Sequence, residues 1–512
     1  MSHYRLIKKS LMVLAAVAGS LLGILVLLWA SWKTAHYLWL SSPATSAERQ
    51  PLKIVMETSW RRLDWKQALQ PDRDAMTTLE TRGLPWFDPR LPSSNEPPGF
   101  PYERGDIGDY WFDYSASDPG SIFPATKFKW KKGLSIRPSG ARPMIAWHGT
   151  LHSHTGWSDG SATPADAYAF ARDKGGLDFM AVTDHPEFWL FNPGRNWEQL
   201  REIAATADTP DFLAVRGFEY SNPVYGHYVV IGSDSVCSAV KCPELKDFYH
   251  WLARSENKDA LVAFAHPMVQ KDNATQFEFK HMSFFPPLES RMFGMEVIHW
   301  SGHDRFQFGF SGKQPFIDEA LAQGWHPGPL GSQDNHGLDW GLSNSRIGVL
   351  MTTLTHENLM DALRMRRFYA TSSRDLELAF DVKSAAGDWI PMGGLVDRDT
   401  LDGSSGGAHG MLETRLRLFE PDEFNVPRRV EWVLDGRIAG RLDFEGLPHE
   451  LSVSGEGGTY YAGEITGWLP LNEIRDGHPH YLYARVMIGP WFEAMAQTSP
   501  FIINSGDAPD RH

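Results

Sequence analysis

The feature that most constrains the fold is a series of short apolar segments in the middle of the chain. They are MIAWHGTLHSHT, LDFMAVTDH, FLAVRGFEYS, HYVVIG, LVAFAHP and GMEVIHW, each of strand length. Helical stretches such as 164–173 and 196–207 separate several of them. Strands that alternate with helices form mostly parallel sheets or barrels, whose strands are buried on both faces and are therefore continuously apolar. The sequence thus predicts a central α/β sheet or barrel.

Most of these segments end in side chains of the kind that bind metal ions. In chain order they are His152 and His154, Asp184 and His185, Glu219, His266, and, in the later segment PLGSQDNHG, Asp334 and His336. In a parallel barrel all strands point the same way, so their C-terminal ends meet at one mouth, where such folds place their chemistry. We therefore expect one shared site at this mouth.

The order of these motifs resembles a known family. H-x-H-x4-D-G, T-D-H, a strand-end Glu, A-H-P and G-S-x-D-x-H follow one another within 143–373. This pattern is similar to that of the PHP (polymerase and histidinol phosphatase) family. The resemblance implies a distorted (β/α)7 barrel with two or three divalent metal ions. The stretch 354–380 and the β-rich tail behind it resemble the secreted or membrane-anchored metallohydrolase branch of that family.

The resemblance also implies how the ligands are grouped. It assigns one metal to His152, His154, Glu219 and Asp334, a second to Glu219, His227 and His266, and a third to Asp159, His185 and His336. Glu219 would bridge the first two metals. Imidazole and carboxylate donors without thiolates suit Mn, Zn or Fe and do not choose among them.

Such a centre is suited to hydrolysis, because two ions that share a carboxylate can activate a hydroxide between them. Glu219 and Asp334 are therefore candidate catalytic residues. Asp184 is a third candidate, which would orient a ligand or shuttle a proton, and capping of a turn is an equally favoured role for it. Glu296 and His299 of GMEVIHW are assigned to packing or to the shape of the substrate pocket.

Three functions are compatible with this pattern. The first is a phosphoesterase that acts on a small-molecule or cell-envelope phosphomonoester or phosphodiester. The second is a carbamate, ester or amide hydrolase with the same centre. The third is a non-catalytic binding protein with a relic site, which the complete ligand set disfavours.

A formal net charge of −14 repels polyanions, so we expect no nucleic acid partner. Four basic residues are candidates to neutralise a phosphate, although most such residues on a protein surface are merely solvated: Arg195, Lys271, Arg305 and Arg374.

The N-terminus predicts membrane attachment. No charged residue occurs in 10–32, which is long enough to cross about 30 Å of hydrocarbon as a helix. Arg5, Lys8 and Lys9 precede this segment and aromatic residues follow it, which favours an uncleaved anchor over a cleaved signal peptide. We expect a single-pass protein of the cytoplasmic membrane with its catalytic domain on the periplasmic or extracytoplasmic side.

Composition and periodicity divide the chain into four parts. We predict a membrane anchor at 1–40, an irregular, partly β lead-in at 41–140, the metallohydrolase barrel at 141–383 and an immunoglobulin-like antiparallel β-sandwich at 384–512. Alternating segments and the turn LDGR support the last of these.

In an oxidising compartment Cys237 and Cys242 would form a disulfide, although two separate thiols are nearly as favoured.

The predicted topology can be tested with a reporter that is active only in the periplasm. Fused after residue 512, the reporter should be active, because the positive charges at the N-terminus retain that end in the cytoplasm. A reporter that is active only in the cytoplasm is the control. Activity of this second fusion would contradict the topology.

Overall fold

The computed structural model describes residues 57–62, 144–191, 195–223, 225–267, 279–299, 316–401, 411–420, 425–443, 452–455, 458–470, 474, 479–488 and 494–504. The predicted anchor at 1–40 and most of the predicted lead-in at 41–140 lie outside these residues. Within the described ranges no helix has the length and hydropathy needed to cross a membrane.

The first half of the described chain alternates strands with helices, as the sequence predicts. Its strands are β1 (Glu57–Arg62), β2 (Ile145–Thr150), β3 (Phe179–Val182), β4 (Leu213–Asn222), β5 (Gly226–Ile231), β6 (Leu261–Phe264), β7 (Met292–His299), β8 (Gly328–Ser332), β9 (Arg346–Met351) and β10 (Phe368–Thr371). Its helices are α1 (Pro164–Asp173), α2 (Trp197–Ala207), α3 (Leu245–Leu252), α4 (Phe279–Met282), α5 (Phe316–Gln323) and α6 (His356–Arg364). The fold is therefore a mixed α/β fold.

Strand β3 shows why the apolar segments are continuous. Phe179 and Ala181 pack in one apolar cluster with residues of the neighbouring strands. Met180 and Val182 point to the other face and pack in a cluster that contains residues of helices α1 and α2. Both faces of the strand are thus buried, and no position along it tolerates a solvated side chain.

Helix α1 begins where its sequence dictates. The Thr163 side chain accepts a hydrogen bond from the backbone N–H of Asp166, and the Asp166 side chain accepts one from the backbone of Thr163. This reciprocal capping box satisfies two donors at the helix start, and Pro164 suits the first helical turn because it has no N–H to satisfy. The cap fixes one end of the loop 155–162, which carries Asp159.

The strand directions differ from the expectation in one respect. β2, β3 and β4 pair in parallel, and so do β6, β7 and β8. However, β5 is antiparallel to both β4 and β6, and β9 is antiparallel to β2. β5 and β9 are therefore the exceptions in the mostly parallel sheet that the sequence predicts. Only 223–225 separate β4 from β5, and so short a connection can join antiparallel but not parallel strands.

The reversed strand places one more histidine at the ligand edge. An antiparallel strand starts at the edge where its parallel neighbours end. His227 lies near the start of β5 and is paired with Ser221 near the end of β4. At the same edge the chain after β2 meets the chain after β8, through a parallel bridge between Ser153 and Asn335. The backbone N–H of His154 donates to the carbonyl of Asn335 over 2.8 Å.

The remaining strands form two mostly antiparallel layers. They are β11 (Glu377–Lys383), β12 (Trp389–Pro391), β13 (Leu395–Asp397), β14 (Met411–Glu420), β15 (Pro427–Leu434), β16 (Arg437–Asp443), β17 (Ser452–Gly455), β18 (Gly458–Pro470), β19 (His480–Ile488), β20 (Ala494–Thr498) and β21 (Phe501–Asn504), with the short helix α7 (Arg398–Leu401). One sheet contains β1, β18, β14, β11 and β12, with β17 paired to β18. The other contains β15, β16, β19, β20 and β21, with β13 paired in parallel to β21, and continues through β10 and β9 into the parallel strands.

The two layers share an apolar core, and the second layer contains a predicted hairpin. Leu416 and Ile465 of the first sheet are buried in the same cluster as Trp432 and Leu482 of the second. The turn LDGR joins β15 to β16, and its Asp435 and Gly436 both have positive φ values, 50° and 72°. Positive φ at both central positions is the requirement of a type I′ hairpin turn.

The structure contains the disulfide between Cys237 and Cys242, with Cα atoms 6.5 Å apart. Closure of so short a loop stabilises a fold by about 2 kcal/mol in the chain-entropy model. We therefore expect replacement of both cysteines by serine to lower the free energy of unfolding by about 2 kcal/mol in a urea titration. Alkylation of unreduced wild type is the control, and two reactive thiols there would contradict the prediction.

Candidate metal centre

Four side chains from three strand ends converge in the first cluster, which consists of His152, His154, Glu219 and Asp334. The Nε2 atoms of the two histidines are 3.1 Å apart. Glu219 Oε2 lies 3.3 Å from His152 Nε2 and 3.2 Å from His154 Nε2. Asp334 Oδ1 lies 3.2 Å and 3.0 Å from the same two nitrogens. Four potential donor atoms thus point at one another around a common centre.

These separations fit a metal ion. Donors about 2.0–2.1 Å from a tetrahedral ion lie about 3.3 Å apart, close to the measured 3.0–3.3 Å. Two imidazoles and two carboxylates are ligands that Zn, Mn and Fe accept. The residues of the first cluster therefore fit a divalent cation in both chemistry and spacing.

The second cluster consists of Glu219, His227 and His266. Glu219 uses its other oxygen here, since Oε1 lies 2.8 Å from His227 Nδ1 and 3.1 Å from His266 Nε2. One carboxylate thus offers Oε2 to the first cluster and Oε1 to the second. This is the arrangement required of a carboxylate that bridges two ions.

The third cluster consists of His154, Asp159, His185 and His336. Asp159 lies 3.6 Å from His154 Nδ1, 3.5 Å from His185 Nε2 and 3.4 Å from His336 Nε2. Both Asp159 and His336 are about 40% exposed, at 41% and 42%, whereas Glu219 is 1% exposed. The third cluster is therefore the solvent-facing side of the centre.

The buried carboxylates of the centre favour positive charge beside them, either as protonated imidazole or as a bound cation. Burial lowers the pKa of His154, but hydrogen bonds and charges from Asp334 and Glu219 outweigh it and raise the pKa to about 10. Burial raises the pKa of Glu219, yet His152, His227 and His185 hold that pKa well below its usual range. Protons on the imidazoles and bound cations therefore compete for the same carboxylates.

Hydrogen bonds behind the ligands fix their orientation. Ser221 Oγ lies 2.6 Å from His185 Nδ1, and the carbonyl oxygen of Asp334 lies 2.8 Å from His336 Nδ1. Because the second ring nitrogen is occupied in this way, each Nε2 is directed at Asp159. His266 and Asp334 also have φ values of 28° and 47°, a left-handed backbone that is strained for residues other than glycine.

Asp184 lies behind the centre. Its carboxylate accepts hydrogen bonds from the backbone N–H and the hydroxyl of Thr155, 2.8 Å and 2.6 Å away, and from the Ser158 hydroxyl. Ser158 Oγ in turn lies 3.3 Å from His154 Nδ1. Asp184 thus stabilises the loop that carries Asp159, which corresponds to the turn-capping alternative.

Other sequence candidates are placed as follows. Arg374 donates to the backbone carbonyl of Gly175 over 2.9 Å. Lys271 and Arg305 lie outside the described residues, and His299 is described only as part of strand β7. Glu296, assigned from sequence to packing or pocket shape, contacts His152 and the backbone of His266. A carboxylate within an apolar strand segment needs a buried partner, and that signal was present in GMEVIHW.

No protein-family model and no curated protein matches the chain. Among solved structures, a two-domain protein from Bacteroides vulgatus that contains a predicted PHP-like metal-dependent phosphoesterase is 14% identical, with 70% of this chain and 95% of that chain covered and a TM-score of 0.36.

Two further structures are similar over smaller parts of the chain. PsfC from Pseudomonas syringae is 13% identical, with 40% of this chain and 82% of that chain covered and a TM-score of 0.27. Endonuclease Q, in complex with a duplex that carries an abasic lesion, is 12% identical, with 43% and 56% covered and a TM-score of 0.26.

The bridging position of Glu219 gives a prediction about metal content. Glu219→Gln removes the negative charge that both clusters share and replaces one of the two donor oxygens by an NH₂ group, so we expect it to lower metal stoichiometry by at least one ion. Elemental analysis of the purified full-length chain measures this. The matched control is Glu431→Gln, since Glu431 is also buried but pairs with Arg485 in the antiparallel layers. Equal metal content in wild type and Glu219→Gln would contradict the bridging role.

Proposed function

We propose that the protein is a PHP-type, metal-dependent phosphoesterase that hydrolyses a phosphomonoester or phosphodiester. The observation that carries this proposal is the position of Glu219, whose two oxygens face two separate sets of imidazoles. Two divalent ions held in this way lower the pKa of a water molecule and stabilise the charge that develops on the attacking and leaving oxygens.

The residues of the chain have distinct parts in this proposal. His152, His154, His227 and His266 would hold the ions through ring nitrogens, and Glu219 would set their separation because its two oxygens face the two sets of imidazoles. The solvent-facing third cluster is where a substrate reaches the centre, because Asp159 is 41% exposed while the first cluster is almost fully buried. A phosphoryl group entering there would approach His336 and His185.

We also propose the architecture and location that the sequence indicates. In this view the parallel strands β2–β4 and β6–β8, with β5, β9 and β10, form a PHP-type barrel, and the antiparallel layers form an immunoglobulin-like sandwich. The proposed parts remain 1–40, 41–140, 141–383 and 384–512, with the difference that β1 of the lead-in and β11 at the end of the barrel segment pair with strands of the antiparallel layers. The charge-free segment 10–32 supports a membrane anchor. The Cys237–Cys242 disulfide supports export, since disulfides persist in oxidising compartments.

The proposal is tested with full-length protein in detergent, stripped of metal and reloaded with Mn²⁺, Zn²⁺ or Fe²⁺. Phosphomonoesters, phosphodiesters and carboxyl esters are the substrates. We expect phosphoester turnover that depends on the ion, and a decrease in kcat of roughly three orders of magnitude in Glu219→Gln, because metal activation and positioning each contribute several kcal/mol. Glu431→Gln should retain wild-type turnover.

The outcomes separate the candidate functions. Turnover of carboxyl esters but not phosphoesters would overturn the phosphoesterase and favour an ester or amide hydrolase. Metal binding without turnover of any substrate would overturn hydrolysis and favour a binding protein.

A further inference from the structure

Glu296 contacts ligand residues of two clusters, on the side away from their ligating atoms. It lies in strand β7 and is 1% exposed. Its Oε1 lies 2.8 Å from His152 Nδ1, and its Oε2 accepts a hydrogen bond of 2.7 Å from the backbone N–H of His266. His152 belongs to the first cluster and His266 to the second. One buried carboxylate therefore contacts a ligand residue of each cluster, with a different oxygen for each.

The contact with His152 determines which ring nitrogen is available to a metal. An ionised carboxylate only accepts hydrogen bonds, so the proton between Glu296 and His152 belongs to Nδ1. A neutral imidazole with its proton on Nδ1 has its lone pair on Nε2. His152 Nε2 is the atom that lies among His154, Glu219 and Asp334.

The contact with His266 acts on the backbone. His266 has a φ of 28°, a conformation that L-residues adopt only where the surroundings hold it. The hydrogen bond from its N–H to Glu296 is one such restraint. The ring of His266 then points its Nε2 at Glu219 Oε1, 3.1 Å away.

We propose that Glu296 is a positioning residue that holds His152 in its metal-binding tautomer and His266 in its ligating conformation, and so sets the metal affinity of both clusters. The proposal rests on the metal-binding part of the proposed function and not on the substrate. Glu296 does not act as a ligand in it, because both of its oxygens are directed at the two histidine residues.

Glutamine at this position separates positioning from packing. It has nearly the size of glutamate, so an ordinary packing role would survive the change. However, its amide has a single acceptor oxygen. If that oxygen accepts from His266, the NH₂ group faces His152 Nδ1 and favours the opposite tautomer. If it accepts from His152, the NH₂ group faces the His266 N–H, and two donors oppose each other.

The experiment compares metal affinity in full-length wild type, Glu296→Gln and the control Glu431→Gln. Each protein is stripped of metal and titrated with Zn²⁺ or Mn²⁺ against a competing chelator. We expect Glu296→Gln to bind 10- to 100-fold more weakly, the usual effect of removing a carboxylate behind a ligating histidine. The control should bind as wild type does. Histidine-selective ¹⁵N spectra of the Zn²⁺ form should show the Nδ1-protonated tautomer of His152 in wild type and its loss or a second population in Glu296→Gln.

Thermal unfolding of the metal-free proteins shows whether Glu296→Gln folds. If it does not, Glu296→Asp is titrated in its place, since it retains the charge but its shorter side chain cannot reach both partners. Wild-type affinity and an unchanged His152 tautomer in the folded variant would overturn the inference. Absence of phosphoester turnover in a wild type that binds metal would overturn the proposed function while leaving this inference standing.

Discussion

The carboxylate of Glu219 is the interaction on which the rest of the centre depends. It is almost completely buried, and a buried charge is tolerated only where opposite charges or hydrogen bonds compensate it. His152 and His154 approach one oxygen, and His227 and His266 approach the other. Compensation therefore requires the ends of several strands to come within hydrogen-bond distance of a single side chain.

The strand topology meets this requirement with one reversed strand. The ligand residues of the parallel strands β2, β4, β6 and β8 lie at or just after the C-terminal ends of these strands. Strand β5 runs the other way, so its ligand residue His227 lies near its start. Both directions serve the same edge of the sheet. The short connection 223–225 that reverses β5 thus has a direct consequence for the site, because it adds a ligand beside Glu219 without a further crossover.

A second layer of polar contacts makes the arrangement rigid. Asp184 binds the loop after β2, Ser221 contacts His185, and Glu296 contacts both His152 and the backbone of His266. The contact of Glu296 with the backbone N–H of His266 also restrains a left-handed residue, a conformation that costs free energy unless the surroundings hold it. The geometry of the clusters therefore reflects buried hydrogen bonds as much as the ligands themselves.

The sequence by itself determined the type of fold and the donor atoms. Apolar strand segments and the His, Asp and Glu residues at their ends are local features, so the α/β alternation and the candidate ligands could be predicted from them. The grouping came from a family resemblance. The contact between Glu296 and His152 could not be predicted, because the two residues are distant along the chain. Which oxygen of Glu219 faces which histidine, and which way β5 runs beside it, are decided by through-space contacts, and only the tertiary structure brings these residues together.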